Sequence, residues 1–412
     1  VGHAHWQSLG ACLGTRLMKK QMTSPLKQLF SHQAFARFLG ARLLGIAANQ
    51  MLMVAVAWHM YDITSSAWDL GLVGLFQFIP ALIVTLPAGH VADRVHRGRL
   101  FAACMLVQAA VALLLMLATT NAFATRELIL GVSVVLGMTR AFQMPAQQAI
   151  TPLLVPANLL QRAIALSSSS VQAAIIGGPA LGGFLYAAGA EVVYAACAAM
   201  LLVACVLAMR VYYDSRPSSE AVSWSSAMAG VVFVWQNKIL LGATSLDLFA
   251  VLLGGAVAML PIYARDILHT GPEGLGLLRA APAVGALLMS LALVRWPIKR
   301  HVGYVLLAAV AVFGLATVVF GVSNHFGLSL LALAVTGAAD NISVVTRLTL
   351  MQLETPDDIR GRVAAVNSIF IGASNQLGEF ESGSVAALWG PVVSVVSGGV
   401  GTVLIAVAWL KL

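Results

Sequence analysis

Twelve long apolar segments dominate this chain of 412 residues and restrict its fold more than any other feature. Crossing a bilayer as a helix takes about 20 mainly apolar residues, and only helices or closed barrels satisfy their own backbone hydrogen bonds in lipid. With 59% hydrophobic and 10% charged residues, little material remains for a soluble catalytic domain. We predict an all-α membrane protein with twelve transmembrane helices, spans 1 to 12, at 34–60, 67–92, 99–121, 127–152, 159–187, 190–212, 239–264, 273–295, 302–323, 327–353, 361–388 and 391–410.

The basic residues lie mostly in every second loop. Loops after odd-numbered spans carry only Arg126 and Arg265. Because cytoplasmic loops are enriched in Lys and Arg, the pattern predicts that both termini are cytoplasmic. The net charge of +8 then orients the chain and does not indicate nucleic-acid binding. The loops after even-numbered spans carry Arg94, Arg97, Arg99, Arg162, Arg210, Arg216, Lys238, Arg295, Lys299, Arg300, Arg360 and Arg362.

The two halves of the chain repeat each other. Spans 4 and 10 align at an offset of 200 residues, which pairs Gly137 with Gly337 and Arg162 with Arg362, and the earlier spans align at an offset of 202. Parallel repeats related by an axis along the membrane normal are one plan of secondary transporters, and chance matching of Gly-rich spans is the alternative. We predict an extension at 1–24, which is not native if Met22 is the natural start, an N-terminal six-helix bundle at 25–212, a cytoplasmic linker at 213–238 and a C-terminal six-helix bundle at 239–412.

Span 5 contains an unusual run of helix breakers, Gly178-Pro179-Ala-Leu-Gly182-Gly183. Inside a membrane such residues are tolerated only where neighbouring helices or cavity water satisfy the freed backbone groups. The run therefore predicts a place where helices pack closely or where one of them moves.

The loop after span 2 reads Gly89-His-Val-Ala-Asp93-Arg94-Val-His-Arg97 and combines a glycine, an acid and several bases in a fixed register. The matching loop of the second half keeps the basic charge but lacks the acid. The alternative interpretation is an ordinary basic cytoplasmic loop.

Polar side chains inside the spans are the candidate functional residues, because ionisable groups are costly in lipid. Two stripes recur at helical spacing, namely Arg140, Gln143 and Gln147 in span 4 and Asp340, Ser343 and Arg347 in span 10. Asn49, Gln50, Asp247, Arg279 and Glu379 add to them. A carboxyl group in an apolar interior can take up and release a proton, so Asp340 and Glu379, followed by Asp247, are the predicted proton carriers. A purely structural ion pair is the alternative for each.

Catalytic patterns are missing from the sequence. There is no metal-ligand spacing of His, Cys and Asp, no phosphate-binding glycine loop and no nucleophile elbow, and the four cysteines follow no redox spacing. We predict neither an enzyme nor an ATP-driven pump, and no cofactor or metal. His59, at the end of span 1, is expected to be solvated.

The run in span 5 resembles the fifth-helix antiporter motif of the major facilitator superfamily, and the motif at 89–99 resembles the loop 2–3 signature of that family. The span 4 motif, Arg-Ala-Phe-Gln, is similar to its fourth-helix motif, although Met144 and Pro145 replace the expected glycine. The stretches 245–268 and 355–383, the latter beginning Thr-Pro-Asp-Asp-Ile-Arg-Gly-Arg, resemble the bacterial branch of enterobactin-exporter-like proteins, the transmembrane secretion effectors.

This resemblance implies two pseudo-symmetric six-helix bundles in which helices 1, 4, 7 and 10 surround a central cavity. The two polar stripes would then face each other across it, either to bind cargo or as a structural Arg–Asp pair between the halves. Helices 8 and 11 would be neighbours, so that Arg279 could pair with Glu379. The implied cargo site is Asn49, Gln50, Arg140, Gln143, Gln147, Ser343 and Arg347, and the implied cytoplasmic gate is Gly89, Asp93, Arg94, Arg97 and Arg362.

The sequence and the resemblance together predict a proton-coupled antiporter that exports a small amphiphilic molecule, such as a siderophore or a drug, by alternating access. The expected setting is the bacterial inner membrane, and the expected partners are the small-molecule substrate, protons and membrane lipids. We expect a monomer that binds no nucleic acid. A lipid or lysolipid transporter on the same fold is one alternative, and a membrane sensor that transports nothing is the other.

Overall fold

The structure is a computed structural model that describes residues 29–212, 231–296, 298, 301–356 and 359–410. Across these ranges the chain is almost entirely helical, and its long helices follow the order of the predicted spans. They are α1 (Gln33–Thr64), α2 (Ala67–Arg94), α3 (Arg97–Thr120), α4 (Arg126–Ile150), α5 (Ala157–Ala187), α6 (Ala190–Met209), α7 (Lys238–Leu253), α8 (Gly271–Arg295), α9 (Val302–Val322), α10 (Phe326–Glu354), α11 (Arg360–Trp389) and α12 (Pro391–Trp409). The predicted extension and most of the linker lie outside the described residues.

Eleven segments of the described chain are long and apolar enough to cross a membrane, and together with α11 they make up the twelve predicted spans. α11 has 30 residues but is less apolar, because Asn375, Glu379 and Glu381 lie in its second half. It packs against α2, α7 and α12, which gives its polar residues protein neighbours. The predicted all-α fold of two six-helix bundles is therefore confirmed.

Polar residues in the short connections set where several helices begin and end. Ser66, Thr125 and Asn237 cap α2, α4 and α7, and each side-chain oxygen accepts a backbone N–H of the first turn. Between α1 and α2, Ser65 adopts a left-handed conformation with φ of 48°, which reverses the chain within two residues. Most of the helical length itself follows from uninterrupted apolar sequence.

Span 7 is a discontinuous helix. α7 ends at Leu253, and after two glycines the span continues as a 3₁₀ turn at Ala256–Met259 and a π-helical turn at Tyr263–Ile267. Near this end the carbonyl of Ala250 accepts two hydrogen bonds, from the Gly254 N–H at 2.9 Å and from the Thr402 hydroxyl of α12 at 3.1 Å. Broken helices of this kind form ion and substrate sites in transporters.

The two halves meet along two seams, one between α5 and α8 and the other between α2 and α11. A Cβ placed on Gly183 of α5 would lie 2.9 Å from the Cα of Gly276 in α8. In the other seam, a Cβ placed on Gly383 would lie 2.7 Å from the Cα of Gly71. Only glycine allows backbones to approach this closely, and Gly183 and Gly383 are related by the repeat.

The apolar core differs between the two ends of the molecule. At the predicted external end one cluster spans both halves, from Leu52 and Tyr194 in the first half to Tyr263 and Phe320 in the second. At the predicted cytoplasmic end, the clusters formed by described residues stay within one half. Among the described residues, the halves are thus joined by apolar packing mainly at the predicted external end.

Candidate functional site

A buried ion pair joins α7 to α10 inside the C-terminal bundle. Arg347 Nη2 lies 2.8 Å from Asp247 Oδ1, and the two side chains are only 6% and 7% exposed. Asp340, about two turns before Arg347 on α10, interacts electrostatically with both of these groups. The structure therefore brings together three predicted site residues, but it turns the α10 stripe toward α7 of its own half rather than toward α4.

Polar atoms beside this pair have no partner among the described residues. The Ser343 hydroxyl, the Thr346 hydroxyl and Arg347 Nε are buried and form no hydrogen bond there. Buried polar groups are nearly always paired, so these atoms mark the cluster as a place that can receive a ligand, an ion or water.

A second charge cluster lies between the halves. Glu379 of α11 interacts electrostatically with Arg279 of α8 and with Arg140 of α4. The Glu379 side chain lies against Gly74 of α2, where a Cβ would come within 2.8 Å of its Oε2 atom. One carboxylate thus interacts with guanidinium groups from both bundles.

The expected packing of helices 8 and 11 does not explain this cluster. α8 packs mainly against α5 and α10, and α11 packs mainly against α2, α7 and α12. Arg279 and Glu379 therefore approach each other from the two different seams. The described residues also show no Arg140–Asp340 ion pair, since the charged groups that interact with Asp340 are Arg347 and Asp247 of its own half.

The other polar stripe, on α4, has both buried and exposed side chains. Arg140 is exposed, whereas Gln143 and Gln147 are buried. Gln108 of α3 donates its Nε2 hydrogen to Gln143 Oε1 at 2.9 Å and contacts the Thr139 hydroxyl at 3.4 Å. The amide of Gln143 thus ties α4 to α3 within the bundle, and its role in binding cargo remains a prediction.

The glycines of the span 5 motif pack against α1 on one side of α5. A Cβ on Gly178 would lie 2.7 Å from Gln50 Cβ, and a Cβ on Gly182 would lie 2.8 Å from the Cα of Met51. Pro179 lies inside α5, which continues past it to Ala187. Close packing of α5 on α1, and of Gly183 on α8, is therefore what this motif provides.

The repeat places an acid where the first half has the proline. At the offset of 200, Gly178 corresponds to Gly378, and Pro179 corresponds to Glu379. Gly378 packs against the broken end of α7, with a Cβ 2.8 Å from the Leu252 carbonyl oxygen, as Gly178 packs against α1. The second half thus keeps the packing but adds a charge at the seam.

One feature of the first helix, the position of Arg42, was not anticipated. Arg42 Nη1 of α1 donates to Ser167 Oγ of α5 at 2.6 Å, and Arg42 Nε is buried without a partner among the described residues. An arginine within predicted span 34–60 was the available signal, since charge in a span is costly. Asn49, about two turns after Arg42 on α1, is half-buried.

A polar contact that the sequence did not reveal joins the ends of α1 and span 7, and we call it the external clasp (Tyr61, Asp62, Arg265 and Asp266). The Tyr61 hydroxyl donates to Asp266, and Arg265 Nη1 lies 3.2 Å from Asp62 Oδ1. Nearby, the expectation of a solvated His59 was wrong, because its ring is 6% exposed and bonded to the Tyr194 hydroxyl at 3.0 Å.

Most of the predicted gate side chains lie outside the described part of the chain. The side chains of Gly89, Asp93 and Arg94 lie outside the described residues. Arg97 begins α3 and is half-buried, and Arg362 in the first turn of α11 is exposed. The gate therefore remains a prediction.

Comparison with known proteins identifies the family. A profile described as Major Facilitator Superfamily matches residues 38–379. The chain belongs to the major facilitator superfamily. This facilitator is 24% identical over 387 residues to a protein named enterobactin exporter EntS from Citrobacter koseri, with 92% of each chain covered. It is also 24% identical over 392 residues to the protein of that name from Shigella boydii, with 93% of each covered.

Solved structures support the fold of this facilitator. The nucleoside transporter NupG superposes with a TM-score of 0.69 at 14% identity, covering 92% of this chain and 98% of that one. A bacterial homologue of the human lysosomal transporter Spinster, in an inward-facing and occupied conformation, gives a TM-score of 0.72 at 15% identity, covering 94% and 97%. Family and fold together make the chain a multi-pass membrane transporter rather than an enzyme.

Proposed function

We propose that this facilitator exports a small amphiphilic molecule, such as a siderophore or a drug, in exchange for protons by alternating access. The observation that carries the proposal is the position of Glu379, which lies in the α2–α11 seam and interacts with arginines of both halves. Buried carboxylates with cationic partners are the usual carriers of protons in transporters. Glu379 and Asp340 are the proposed carriers, with Asp247 third.

Alternating access draws support from the uneven packing of the halves. The shared apolar core and the external clasp both lie at the end predicted to be external. Closure at one end with separate cores at the other is what an inward-facing transporter requires, and the halves would then rock about a central site. We therefore propose that the described residues represent an inward-facing state.

The direction and the cargo class rest on the relatives. Proteins named enterobactin exporter match over nearly the whole chain, although at only 24% identity. We propose export from the cytoplasm across the bacterial inner membrane, with both termini cytoplasmic and the transporter acting as a monomer. The buried charge clusters favour a cargo with polar groups over the lipid alternative, which calls for an apolar cavity open to the membrane.

The test uses purified full-length protein in liposomes that carry a pH gradient. Catecholate siderophores, cationic amphiphiles and lysolipids are added in turn, and collapse of the gradient is followed by fluorescence. We expect one chemical class to collapse the gradient, and Asp340→Asn and Glu379→Gln to abolish this effect. Glu381→Gln is the matched control, because Glu381 lies on the same helix but contacts Ser382 instead of the arginines.

Each outcome bears on the proposal separately. Coupled flux that survives in one variant removes that residue as a carrier. If folded protein transports a cargo without collapsing the pH gradient, this result would contradict proton exchange. Response to lysolipids alone would favour the lipid alternative.

A further inference from the structure

A small cavity lies inside the C-terminal bundle, where α7, α9 and α10 meet. Its volume is about 10 Å³, which is room for one occupant of about the size of a water molecule. Ala309 and Phe313 of α9 form part of an otherwise apolar wall, and the polar side chains that line it are Asp247, Asp340 and Ser343. The cavity is separate from the seams between the halves, and the export proposal uses its acids only as proton carriers.

The oxygen atoms around this cavity do not all have a hydrogen-bond or ion-pair partner among the described residues. Arg347 occupies Oδ1 of Asp247, which leaves the Oδ2 atom available, and it pairs with Asp247 rather than with Asp340. Ser343 is 3% exposed, and its hydroxyl has no hydrogen-bond partner in the described chain. A buried hydroxyl without a partner, beside two carboxyl groups in a cavity whose walls are otherwise apolar, indicates an occupant that the protein alone does not supply.

The charges of the cluster do not cancel. With both carboxyl groups ionised, Asp247, Asp340 and Arg347 together carry one net negative charge inside the membrane-spanning region. An isolated charge in a low-dielectric interior is costly, so one monovalent cation would balance it, whereas a divalent ion would leave an excess. The donors are oxygens only, which suits a hard cation.

The end of α7 beside the cavity also favours a bound cation. Ala250 and Val251, in the last turn of α7, line the cavity beside the two carboxylates. The C-terminal end of a helix carries partial negative charge, and broken helices of transporters use such ends to bind coupling cations. The break after Leu253 therefore adds a favourable field to the acidic side chains.

We propose that this cavity binds one sodium ion, held by the Asp340 carboxylate, the free oxygen of Asp247 and the Ser343 hydroxyl. The site goes beyond export, because it adds a second cation to a transporter proposed to use protons. It stands independently of the cargo, since sodium binding is measured without transport.

The experiment measures thermal unfolding of the purified full-length protein in alkaline buffer with sodium, potassium or choline chloride at equal ionic strength. A ligand that binds only the folded state stabilises it, so we expect sodium alone to raise Tm by about 2–4 °C. Radioactive sodium should bind at one ion per chain. Ser343→Ala and Asp340→Asn should each remove the sodium-specific rise.

Thr349→Val is the matched control, because Thr349 lies on the same helix but its hydroxyl donates to the Val345 carbonyl away from the cavity. This variant should keep the sodium effect. Equal stabilisation by all three salts would overturn the proposal and leave water or a proton as the occupant. A sodium effect that persists in Ser343→Ala would place the ion elsewhere and would also overturn it, even if Asp340→Asn fails to fold. Neither result bears on export.

Discussion

The external clasp should control how readily the halves separate at the predicted external end. Tyr61 of α1 donates to Asp266, and Arg265 pairs with Asp62 at 3.2 Å, so all four residues connect the first half to the second. We predict that Tyr61→Phe shifts the protein toward the state that is open at this end. The substitution keeps the ring, which is 6% exposed, and removes only the hydroxyl.

The size of the effect follows from the exposure of the partners. A hydrogen bond to a charged group contributes about 1.5–3 kcal/mol net, and the 48% exposure of the Asp266 side chain places this one at the lower end. About 1.5 kcal/mol corresponds to about a tenfold change in an equilibrium constant. The Arg265–Asp62 pair has side chains that are 38% and 54% exposed, so it contributes only about 0.2–1 kcal/mol. Asp62→Asn should therefore shift the equilibrium less than Tyr61→Phe.

Spin-label distances measure this equilibrium directly. Asn121, in the loop after α3, and Asn324, in the loop after α9, are both exposed at the predicted external end and belong to different halves. With cysteines at these positions in a variant without native cysteines, the open state gives longer distances. We expect Tyr61→Phe to raise the ratio of long to short distances about tenfold.

Two results would refute this reasoning. An unchanged distance distribution in Tyr61→Phe would show that the hydroxyl does not hold the halves together. A larger shift in Asp62→Asn than in Tyr61→Phe would show that the exposed ion pair, not the buried tyrosine, controls this end. Correct folding of each variant is checked by its unfolding temperature.

Two further predictions concern stability and close packing. Asp247→Ala leaves the buried Arg347 without its partner and should cost about 3–5 kcal/mol, whereas Asp247→Leu combined with Arg347→Met should cost less, as measured by thermal unfolding. Gly183→Leu places a side chain against Gly276 across the α5–α8 seam, where overpacking costs about 1–3 kcal/mol, and transport should be lost. Gly177→Ala is the control, since a Cβ there meets nothing within 4 Å, and unchanged transport in Gly183→Leu would contradict the seam argument.

The fold was predictable because length and hydropathy alone determine which segments cross a membrane. Even α11 was recognised by its apolar length, although it carries Glu379 and Glu381, and the repeat gives it a counterpart in α5. The break in span 7 was missed, since Gly254 and Gly255 also occur where helices merely pack closely. Glycine has both uses, and the sequence does not distinguish them.

The candidate site was predictable as a set of residues but not as a set of contacts. Helical periodicity shows that Asp340 and Arg347 share a face, but it does not show that this face meets Asp247 on α7. The external clasp joins residues about two hundred positions apart, and no local pattern reports such a contact. Side-chain direction in a bundle depends on how helices rotate against each other, which the sequence of one chain leaves open.

Protonation of the two charge clusters should affect the movement of the halves differently. A proton shifts a two-state equilibrium only by the difference between its interaction energies in the two states. Asp247, Asp340 and Arg347 lie on α7 and α10 of one half, so their mutual energy changes little when the halves rock. Glu379 instead interacts with Arg140 of the other half across the seam, and neutralising it changes the energy of the contact that must break. Of the proposed carriers, we therefore expect Glu379 to couple protonation directly to the movement of the halves, whereas protonation of Asp340 or Asp247 would act by changing what the C-terminal cluster binds.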